Sequence, residues 1–412
     1  MTISTAIRGA TVLTMSEAGR LLDATVTISG DVIEGVYPGG DVPAHVLAWL
    51  ADPSHQVVDA GSKFVIPGLI NLHEHLDMHN VRGSMHDRVS APGARLVPRS
   101  IRNALLALAS GVTTLRDLGS KDSTNIITRD IIDQGQFAGP RIYACGQMIS
   151  ATGGHGQPLC AEADGVDALR RMTRLQIKHG ADVIKVCASG GVVAMRHEDP
   201  WAQQLDDDEL AAVVREAHRF GLRVASHAQP PAAIKASALA GVDTVEHAAF
   251  LDAECADLLA ERRVYLVPTI DDSYAVAFEG DRHGRPAWMR ENAKNSIEFR
   301  TASLERAVKA GVVLGCGTDV VGRMGREMAH LAAAGLPVID ALAAATCTAA
   351  EILGNPGIGV VAPGKAADLV VLSADPLADL TACDHSIDLV VRAGRVVQPR
   401  SLIEACADGD IV

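Results

Sequence analysis

Several short apolar runs of the sequence end in histidine, lysine or aspartate, which are residue types that can hold divalent metal ions. His73 and His75 come directly after the run that begins at Phe64, and the two imidazoles of such a pair lie on the same side of extended backbone. Later apolar runs end in Lys185, His227, His247 and Asp319. Neutral imidazoles with anionic ligands suit a divalent first-row metal, with zinc as the default expectation.

The elements that must position these residues form a repeating pattern between residues 64 and 319, in which β-branched apolar runs alternate with longer alanine-rich stretches. The eight runs are residues 64–69, 112–115, 141–144, 183–186, 222–225, 244–245, 264–267 and 312–314. Eight strands that alternate with helices predict an α/β fold, the (β/α)8 TIM barrel. Because the carboxyl ends of barrel strands meet at one mouth, we expect the candidate ligands to converge there.

One of the helical stretches has clear end signals. Asp206 followed three residues later by Glu209 predicts a capping box, and the helix is expected to run to about Phe220. Gly221 stands where a left-handed residue is wanted after a helix. We expect the stretches at residues 190–200 and 271–286 to be loops at the barrel mouth.

The two ends of the chain have a different pattern from the middle. Residues 1–60 and 358–400 alternate polar and apolar positions between turn signals, which is typical of half-buried strands. The simplest interpretation is that both ends pair into one small domain, a composite β-sandwich. The predicted domains are 1–60 plus 358–412 for the sandwich and 61–357 for the catalytic, metal-dependent barrel.

Composition argues against several classes of protein. The 412 residues include 37 Lys and Arg against 50 Asp and Glu, so nucleic acids and anionic membranes would be repelled overall. No signal-peptide pattern opens the chain and no stretch approaches the roughly 20 apolar residues of a membrane span, which predicts a cytoplasmic protein. The 8 cysteines contain no C-x-x-C pair and are expected to be reduced. We therefore expect a small-molecule substrate as the partner, and periodicity leaves a homo-oligomer open.

Together these motifs resemble the amidohydrolase superfamily over nearly the whole chain. The matching positions are residues 65–75, Lys185, His227, residues 245–247, residues 317–319 and residues 363–369. The resemblance implies a barrel with a composite β-sandwich and a binuclear metal centre. It assigns one metal ion to His73, His75 and Asp319. It assigns the other to His227 and His247, with Lys185, carboxylated by CO2, as the bridge.

The lysine needs a physical account, because an ammonium group cannot ligate a metal. Burial between Ile184 and Val186 would lower the pKa of Lys185, and the neutral amine can then take up CO2 to form an anionic carbamate. The resemblance further implies that two cations acidify a bridging water, so that hydroxide exists near neutral pH, and polarise the scissile carbonyl. Asp319 would take the hydroxide proton and pass it to the leaving nitrogen.

The substrate is narrowed by two glycine-containing segments. Residues 185–192 and the loop 152–156 resemble the branch with prolidase-like dipeptidases, ochratoxin-type amidases and imidazolonepropionase-related proteins. We therefore expect an N-acyl amino acid or dipeptide with a free carboxylate. His155 is a catalytic and substrate-binding candidate, because its glycine-flanked side chain could reach a carbonyl oxygen or carboxylate.

The other substrate-binding candidates are expected on loops at the mouth. Gly190 and Gly191 could offer backbone N–H groups to an anion. The side chains that could contact a substrate tail are those of Tyr274, Arg323, Arg196, His197 and Trp201. His79 and His86 follow the first strand as well, but His73 and His75 already fill the ligand positions.

Two other functions stay open. The first is a mononuclear hydrolase or deaminase of a heterocyclic or xenobiotic compound. Such deaminases usually have a glutamate three residues after the histidine of the fifth strand, where this chain has Pro230, and they lack a lysine at the position of Lys185. The second is a non-catalytic scaffold, which would be expected to have lost ligands. About two metal ions per chain favour the binuclear hydrolase, about one favours the deaminase-like enzyme, and none favours the scaffold.

Overall fold

The computed structural model describes residues 3–78, 90–192, 198–282, 284–320 and 322–405. The chain divides into two compact units. The smaller unit comprises Met1–Ile70, Leu105–Thr114 and Val338–Val412. The larger unit comprises Asn71–Ala104 and Leu115–Pro337. None of the helices in the described ranges has the length and apolar character needed to cross a membrane.

Strands from both ends of the chain lie in one sheet of the smaller unit. They are β1 Thr5–Leu13, β2 Arg20–Ser29, β3 Val32–Tyr37, β4 Gln56–Asp59, β5 Phe64–Pro67, β15 Leu369–Leu372, β16 Ile387–Arg392 and β17 Arg395–Val397. The order is β17-β16-β15-β5-β1-β2-β3, and β4 pairs with β1. Buried aliphatic side chains from both chain ends form the core of this unit. The β-sandwich and the domain bounds given above stay predictions.

A parallel sheet of six strands lies in the larger unit. In spatial order its strands are β10 Cys160–Glu162, β9 Met148–Ser150, β11 Val183–Cys187, β12 Arg223–Ala228, β13 Thr244–His247 and β14 Tyr265–Val267. A three-stranded sheet has the order β6 Leu69–Glu74, β7 Val112–Asp117 and β8 Arg141–Ala144. Isolated parallel bridges join Leu266 to Leu314 and Glu74 to Asp319. The fold is therefore α/β with parallel sheets.

Two of the eight predicted strands differ from the structure. The first is divided after Pro67, since β5 belongs to the mixed sheet of the smaller unit and β6 carries His73. Gly68 stands at the division, where a Cβ atom would overlap the side chain of Thr113. The last predicted strand, residues 312–314, forms only the bridge at Leu314 among the residues described. Glycines at 315 and 317 follow it, and glycine weakens regular strands.

The helices alternate with or follow these strands along the chain. They are Ala44–Leu50, Val97–Ala109, Thr124–Asp133, Val166–Lys178, Asp207–Arg219, Pro231–Ala240, Ala253–Arg262, Ile270–Glu279, Ala287–Ala310, Met324–Ala333, Val338–Ala344, Cys347–Leu353, Ala382–His385 and Pro399–Ala405. The predicted capping box is confirmed, because Glu209 N donates to Asp206 Oδ1 at 2.8 Å and Asp206 N donates to Glu209 Oε2 at 2.9 Å. Gly221 follows this helix with a φ of 74°.

The stretch expected as a loop at residues 271–286 is largely helical. The helix Ile270–Glu279 begins there, with Asp271 and Asp272 in its first turn. Acidic side chains in the first turn stabilise a helix through the partial positive charge of its N-terminus. Two aspartates that resemble a loop signal in the sequence therefore mark a helix start.

Candidate metal centre and active site

The six predicted ligands meet in one cleft of the larger unit. His73 and His227 are the penultimate residues of β6 and β12, His247 is the last residue of β13, and Lys185 is the middle residue of β11. His75 directly follows β6, and Asp319 forms an isolated bridge with Glu74. All six line a cleft of about 930 Å³: His73, His75, Lys185, His227, His247 and Asp319. The structure thus brings together the side chains that the sequence singled out, and their roles as ligands stay a prediction.

Three of these residues form a candidate metal site. The ligand atoms of His73, His75 and Asp319 lie within 4.8 Å of one another. Nδ1–H of His73 donates to Glu246 Oε2 at 2.8 Å, and Nδ1–H of His75 donates to the carbonyl of Gly119 at 2.7 Å. Because these bonds fix both tautomers, Nε2 carries the lone pair of each ring. The two Nε2 atoms lie 3.9 and 3.6 Å from Asp319 Oδ1.

His227 and His247 lie beside this cluster. Their ring centroids are 4.6 Å apart, and the His247 ring is 4.8 Å from that of His73. Nε2 of His227 lies 3.2 Å from the carbonyl of Gly190, which can only accept, so Nδ1 carries the lone pair. Burial lowers the pKa of His73, His227 and His247 well below the ordinary value. The rings are therefore neutral at pH 7, as metal ligation requires.

Lys185 provides the test of whether this cleft suits metal ions. Its side chain is 2% exposed, and Nζ has no hydrogen-bond partner among the residues described. Burial lowers the pKa of Lys185, which favours the neutral amine. A partnerless buried amine is costly as an ammonium ion, but as a carbamate it would supply an anionic ligand to cations nearby. The donor set of imidazoles, carboxylate and this amine fits a site for divalent metal.

A buried arginine supports the site and was missed from the sequence. Nη2 of Arg116 donates to Glu246 Oε1 at 2.8 Å, and its Nε donates to the carbonyl of Leu72 at 2.6 Å. Glu246 thus holds His73 on one side and a guanidinium on the other. The signal was present, because Arg116 directly follows the predicted strand at residues 112–115.

The backbone at Asp319 is held against His73. Asp319 N donates to the carbonyl of His73 at 2.8 Å, and a Cβ atom at Gly317 would lie 2.7 Å from His73 Cβ. Only glycine allows this close approach. Asp319 and His247 have φ angles of 56° and 71°, a conformation that is uncommon for residues with a side chain and clusters at functional sites.

His155 lies in the cleft, as the sequence predicted for a residue near the substrate. Its ring stacks on that of His227 with centroids 4.0 Å apart. Nδ1 of His155 is 2.6 Å from Glu198 Oε2, and its backbone N donates to Gln204 Oε1 at 2.9 Å. The side chain is therefore oriented from two directions. Its catalytic and binding roles stay predictions.

The N–H groups of the glycine pair are not open to a ligand. Gly191 lines the cleft, but its N–H donates to Glu198 Oε2 at 3.1 Å. The N–H of Gly190 donates to the carbonyl of Ala202 at 3.2 Å. Both groups are bonded within the protein, which differs from the anion site that we expected.

Tyr274 and Arg323 lie elsewhere than predicted. Tyr274 is in the helix Ile270–Glu279 rather than a loop, and its ring is 4.4 Å from that of His330. Arg323 is exposed, and its backbone N donates to Asp271 Oδ2 at 2.7 Å. Among the residues described, neither lines the cleft. Arg196, His197, His79 and His86 lie outside the described residues.

Two further arginines line the cleft and were also missed. Arg285 precedes the helix Ala287–Ala310, and Arg300 lies within it. Arg300 is on the buried face of that helix, at a helical spacing from Ala293 and Leu304. A charged residue at helical spacing from small and apolar residues was the sequence signal for this position.

The family follows from comparison with known proteins. Residues 64–397 match the description of the amidohydrolase family. The chain belongs to this family. Ochratoxinase from Aspergillus niger is 30% identical over 397 residues, which cover 87% of this chain and 79% of the relative. Imidazolonepropionase from Cereibacter sphaeroides is 26% identical over 408 residues, which cover 90% of this chain and 93% of the relative.

A solved structure is similar over the same length. The crystal structure of a prolidase complexed with N-methylphosphonate-L-proline is 31% identical, with a TM-score of 0.86, and the match covers 96% of this chain and 100% of that chain. These relatives confirm the predicted branch of the superfamily. This amidohydrolase is therefore an enzyme that hydrolyses carbon–nitrogen bonds of the amide type, and its His73, His75 and Asp319 form a candidate metal site.

Proposed function

We propose that this amidohydrolase cleaves the amide bond of an N-acyl amino acid or dipeptide with a free carboxylate, with two divalent metal ions as cofactors. The observation that carries the proposal is the amine of Lys185, which has no hydrogen-bond partner among the described residues and shares its cleft with five histidines and Asp319. Similarity to a prolidase solved with N-methylphosphonate-L-proline supports a substrate of this class.

The chain's own donors divide into two sets. One ion, zinc by default, would be held by His73, His75 and Asp319. The other would be held by His227 and His247, with Lys185, carboxylated by CO2, as a ligand of both. When bound, the ions supply Lewis-acid polarisation of the scissile carbonyl and lower the pKa of a water molecule.

Asp319 is the proposed proton carrier. Burial raises the pKa of this carboxyl group well above its ordinary value, which favours its use as a proton acceptor. It would accept a proton from the attacking water and donate it to the leaving nitrogen, which avoids release of an amide anion. His155, whose Nδ1 lies 2.6 Å from Glu198 Oε2, is the proposed contact to the carbonyl oxygen or to a carboxylate of the substrate.

The finer description of the fold belongs to the same proposal. The two parallel-strand sheets and the bridges at Leu314 and Asp319 would be parts of one (β/α)8 barrel, and the sheet of the smaller unit would be part of a composite β-sandwich. The prolidase similarity supports this architecture. The proposal includes a small-molecule partner, no nucleic-acid or membrane partner, and a cytoplasmic location, as expected from the net charge and the sequence patterns.

Metal analysis and a substrate panel test the function. We expect about two metal ions per chain after zinc loading, and release of an amino acid without ammonia from dipeptides or N-acyl amino acids. Ammonia release, or cleavage of cyclic amides by a protein with one ion, would favour the alternative, a mononuclear hydrolase or deaminase of a heterocyclic or xenobiotic compound. With metal bound, Asp319→Asn should lower kcat about 10²- to 10⁴-fold. A near-normal rate would contradict the proton-carrier role.

A further inference from the structure

Two guanidinium groups that line the cleft are buried without an ion pair to any of the described residues. Arg300 is 5% exposed and Arg285 is 9% exposed. Nε and Nη1 of Arg300 and Nε of Arg285 are buried without a hydrogen-bond partner, and neither guanidinium has an ion pair in the part of the chain that the structure describes. Arg116 is equally buried but bonds to Glu246, so burial of arginine in this unit does not by itself leave donors unmatched.

An unmatched buried guanidinium is energetically unfavourable. Removing a charge from water is costly unless an opposite charge and hydrogen-bond acceptors replace the water. Burial lowers the pKa of Arg300, an effect that Asp272 and Asp319 oppose. Arginine keeps its proton nonetheless, because its ordinary pKa lies above about 12. Both groups therefore have buried donors that an anion in the cleft could satisfy.

We propose that Arg285 and Arg300 bind the carboxylate of the substrate, next to the scissile amide bond. The inference rests on the proposed amide hydrolysis and names the part of the substrate that the enzyme recognises. The planar fork of a guanidinium matches the two oxygens of a carboxylate. Because both arginines line the same cleft as Asp319, the bound carboxylate would belong to the residue that carries the scissile nitrogen.

The remaining walls of the cleft narrow the substrate class. Met78, Met148, Leu159, Val276 and Met289 line it beside the two arginines. The N–H groups of Gly190 and Gly191 are already bonded, so they do not compete for the carboxylate. The favoured substrates are N-acyl derivatives of apolar α-amino acids.

A binding experiment tests the carboxylate site without turnover. The probes are N-methanesulfonyl-L-leucine, whose sulfonamide is not hydrolysed, and its carboxamide. Calorimetry on the zinc-loaded enzyme should show that the acid binds about 10- to 100-fold more tightly, the range expected for one charge-assisted pair or two. Arg300→Met and Arg285→Met should each reduce this preference at least about tenfold and leave carboxamide binding unchanged.

Matched variants separate recognition from folding. Lys309→Met removes one positive charge from an exposed position of the same helix and should keep the preference for the acid. Arg300→Lys retains the positive charge without the planar guanidinium group and should keep part of the preference for the acid. If Arg300→Met fails to fold, Arg300→Lys and Arg285→Met still decide the question. Equal binding of acid and carboxamide by the wild type, or equal weakening of both by the variants, would overturn the proposal.

Turnover distinguishes this site from the proposed function. With N-acetyl-L-leucine and N-acetyl-L-leucinamide, the arginine variants should raise KM for the acid and leave kcat/KM for the amide unchanged. If the acid probe binds selectively but no amide is hydrolysed, the carboxylate site stands and the proposed function fails. If N-acetyl-L-leucine and N-acetyl-L-leucinamide are hydrolysed equally well, the proposed hydrolase activity is supported and the carboxylate site is contradicted. Displacement of the acid probe by sulfate at equal concentration would show a site for any small anion and would also overturn the assignment.

Discussion

Nδ1–H of His73 donates to one oxygen of Glu246 at 2.8 Å, and the other oxygen accepts from Arg116 at the same distance. All three side chains are buried, so the bonds lie in a medium of low dielectric constant. The carboxylate fixes the imidazole plane and its tautomer, and the guanidinium compensates the charge of the carboxylate. This chain of contacts holds Nε2 of His73 ready for a metal ion before one arrives.

Glu246→Gln should weaken metal binding. An amide at this position places an NH2 group against one of the donors that the carboxylate now accepts. We expect metal affinity to fall about 10- to 100-fold, as for other groups that orient a metal-binding histidine. Competition with a chelator measures the affinity. Glu254→Gln changes an exposed carboxylate paired with Lys235 and should have no effect. Unchanged affinity in Glu246→Gln would contradict the orienting role.

Lys185→Ala should lose metal and activity together. The substitution removes the only lysine among the described residues that line the cleft, and it leaves space there. Acetate or propionate should restore part of both properties, because a small carboxylate can take the place of the missing anion. In CO2-free buffer, metal-free wild type should reload zinc only after bicarbonate is added.

Metal content and kcat report the outcome for Lys185. Lys178→Ala, at an exposed helix end, serves as the control and should behave as the wild type. A Lys185→Ala enzyme with two metal ions and full turnover would show that the lysine is not a ligand.

Gly317→Ala should disturb His73 through packing alone. Its Cβ atom would lie 2.7 Å from His73 Cβ and 2.7 Å from Val267 Cγ1. Overpacking of this kind costs about 1–3 kcal/mol in the free energy of unfolding. Displacement of His73 from Asp319 should also lower metal occupancy. Gly61→Ala meets its nearest atom only at 3.4 Å and should change neither stability nor metal content.

Glu327 should make stability depend on pH. Burial raises the pKa of this carboxyl group from 4.5 to about 8, although it accepts hydrogen bonds from Ile270 N and Asp271 N. Between these values the folded state binds a proton that the unfolded state has lost. The protonated group therefore contributes stability that is complete below about pH 4.5 and is lost as the pH rises through about 8.

Glu327→Gln removes this proton. The free energy of unfolding of the wild type, relative to that of the variant, should fall by about 1.4 kcal/mol per pH unit between about pH 5 and pH 8. Urea unfolding at several pH values measures the difference. Glu261→Gln, at an exposed position, provides the control. A difference that does not vary with pH would show that Glu327 is ionised in the folded state.

The candidate ligands could be found from the sequence because their signal is local. His73, Lys185, His227 and His247 each lie in or beside a short apolar run, and parallel strands bring such positions to one edge of a sheet. Pro67 and Gly68 were an equally local signal that the first run divides into two strands. The signal was overlooked because the residues on both sides of it are apolar. The helix that contains Tyr274 was mistaken for a loop because aspartate is common both in loops and in the first turn of helices.

The partners of the ligands could not be found in this way. Arg116 and Glu246 are 130 residues apart in the chain, and the sequence around either residue does not predict that it contacts the other. Arg300 lies in a long helix where charged residues are common, and its helical spacing predicts burial without indicating what it contacts. Contacts across long sequence separations depend on the packing of whole elements, which composition and periodicity do not determine.

The antiparallel pairing of β5 with β15 sets an order on biosynthesis. The ribosome releases Phe64 long before Leu369, so one flank of β5 stays uncovered while the intervening catalytic segment is being translated. An uncovered strand flank of this kind is prone to mispairing with other nascent chains. The sheet of the smaller unit is therefore completed only when the last strands have been synthesised. Truncation of the chain upstream of Val397 should lower solubility more than it lowers the activity of the protein that remains soluble.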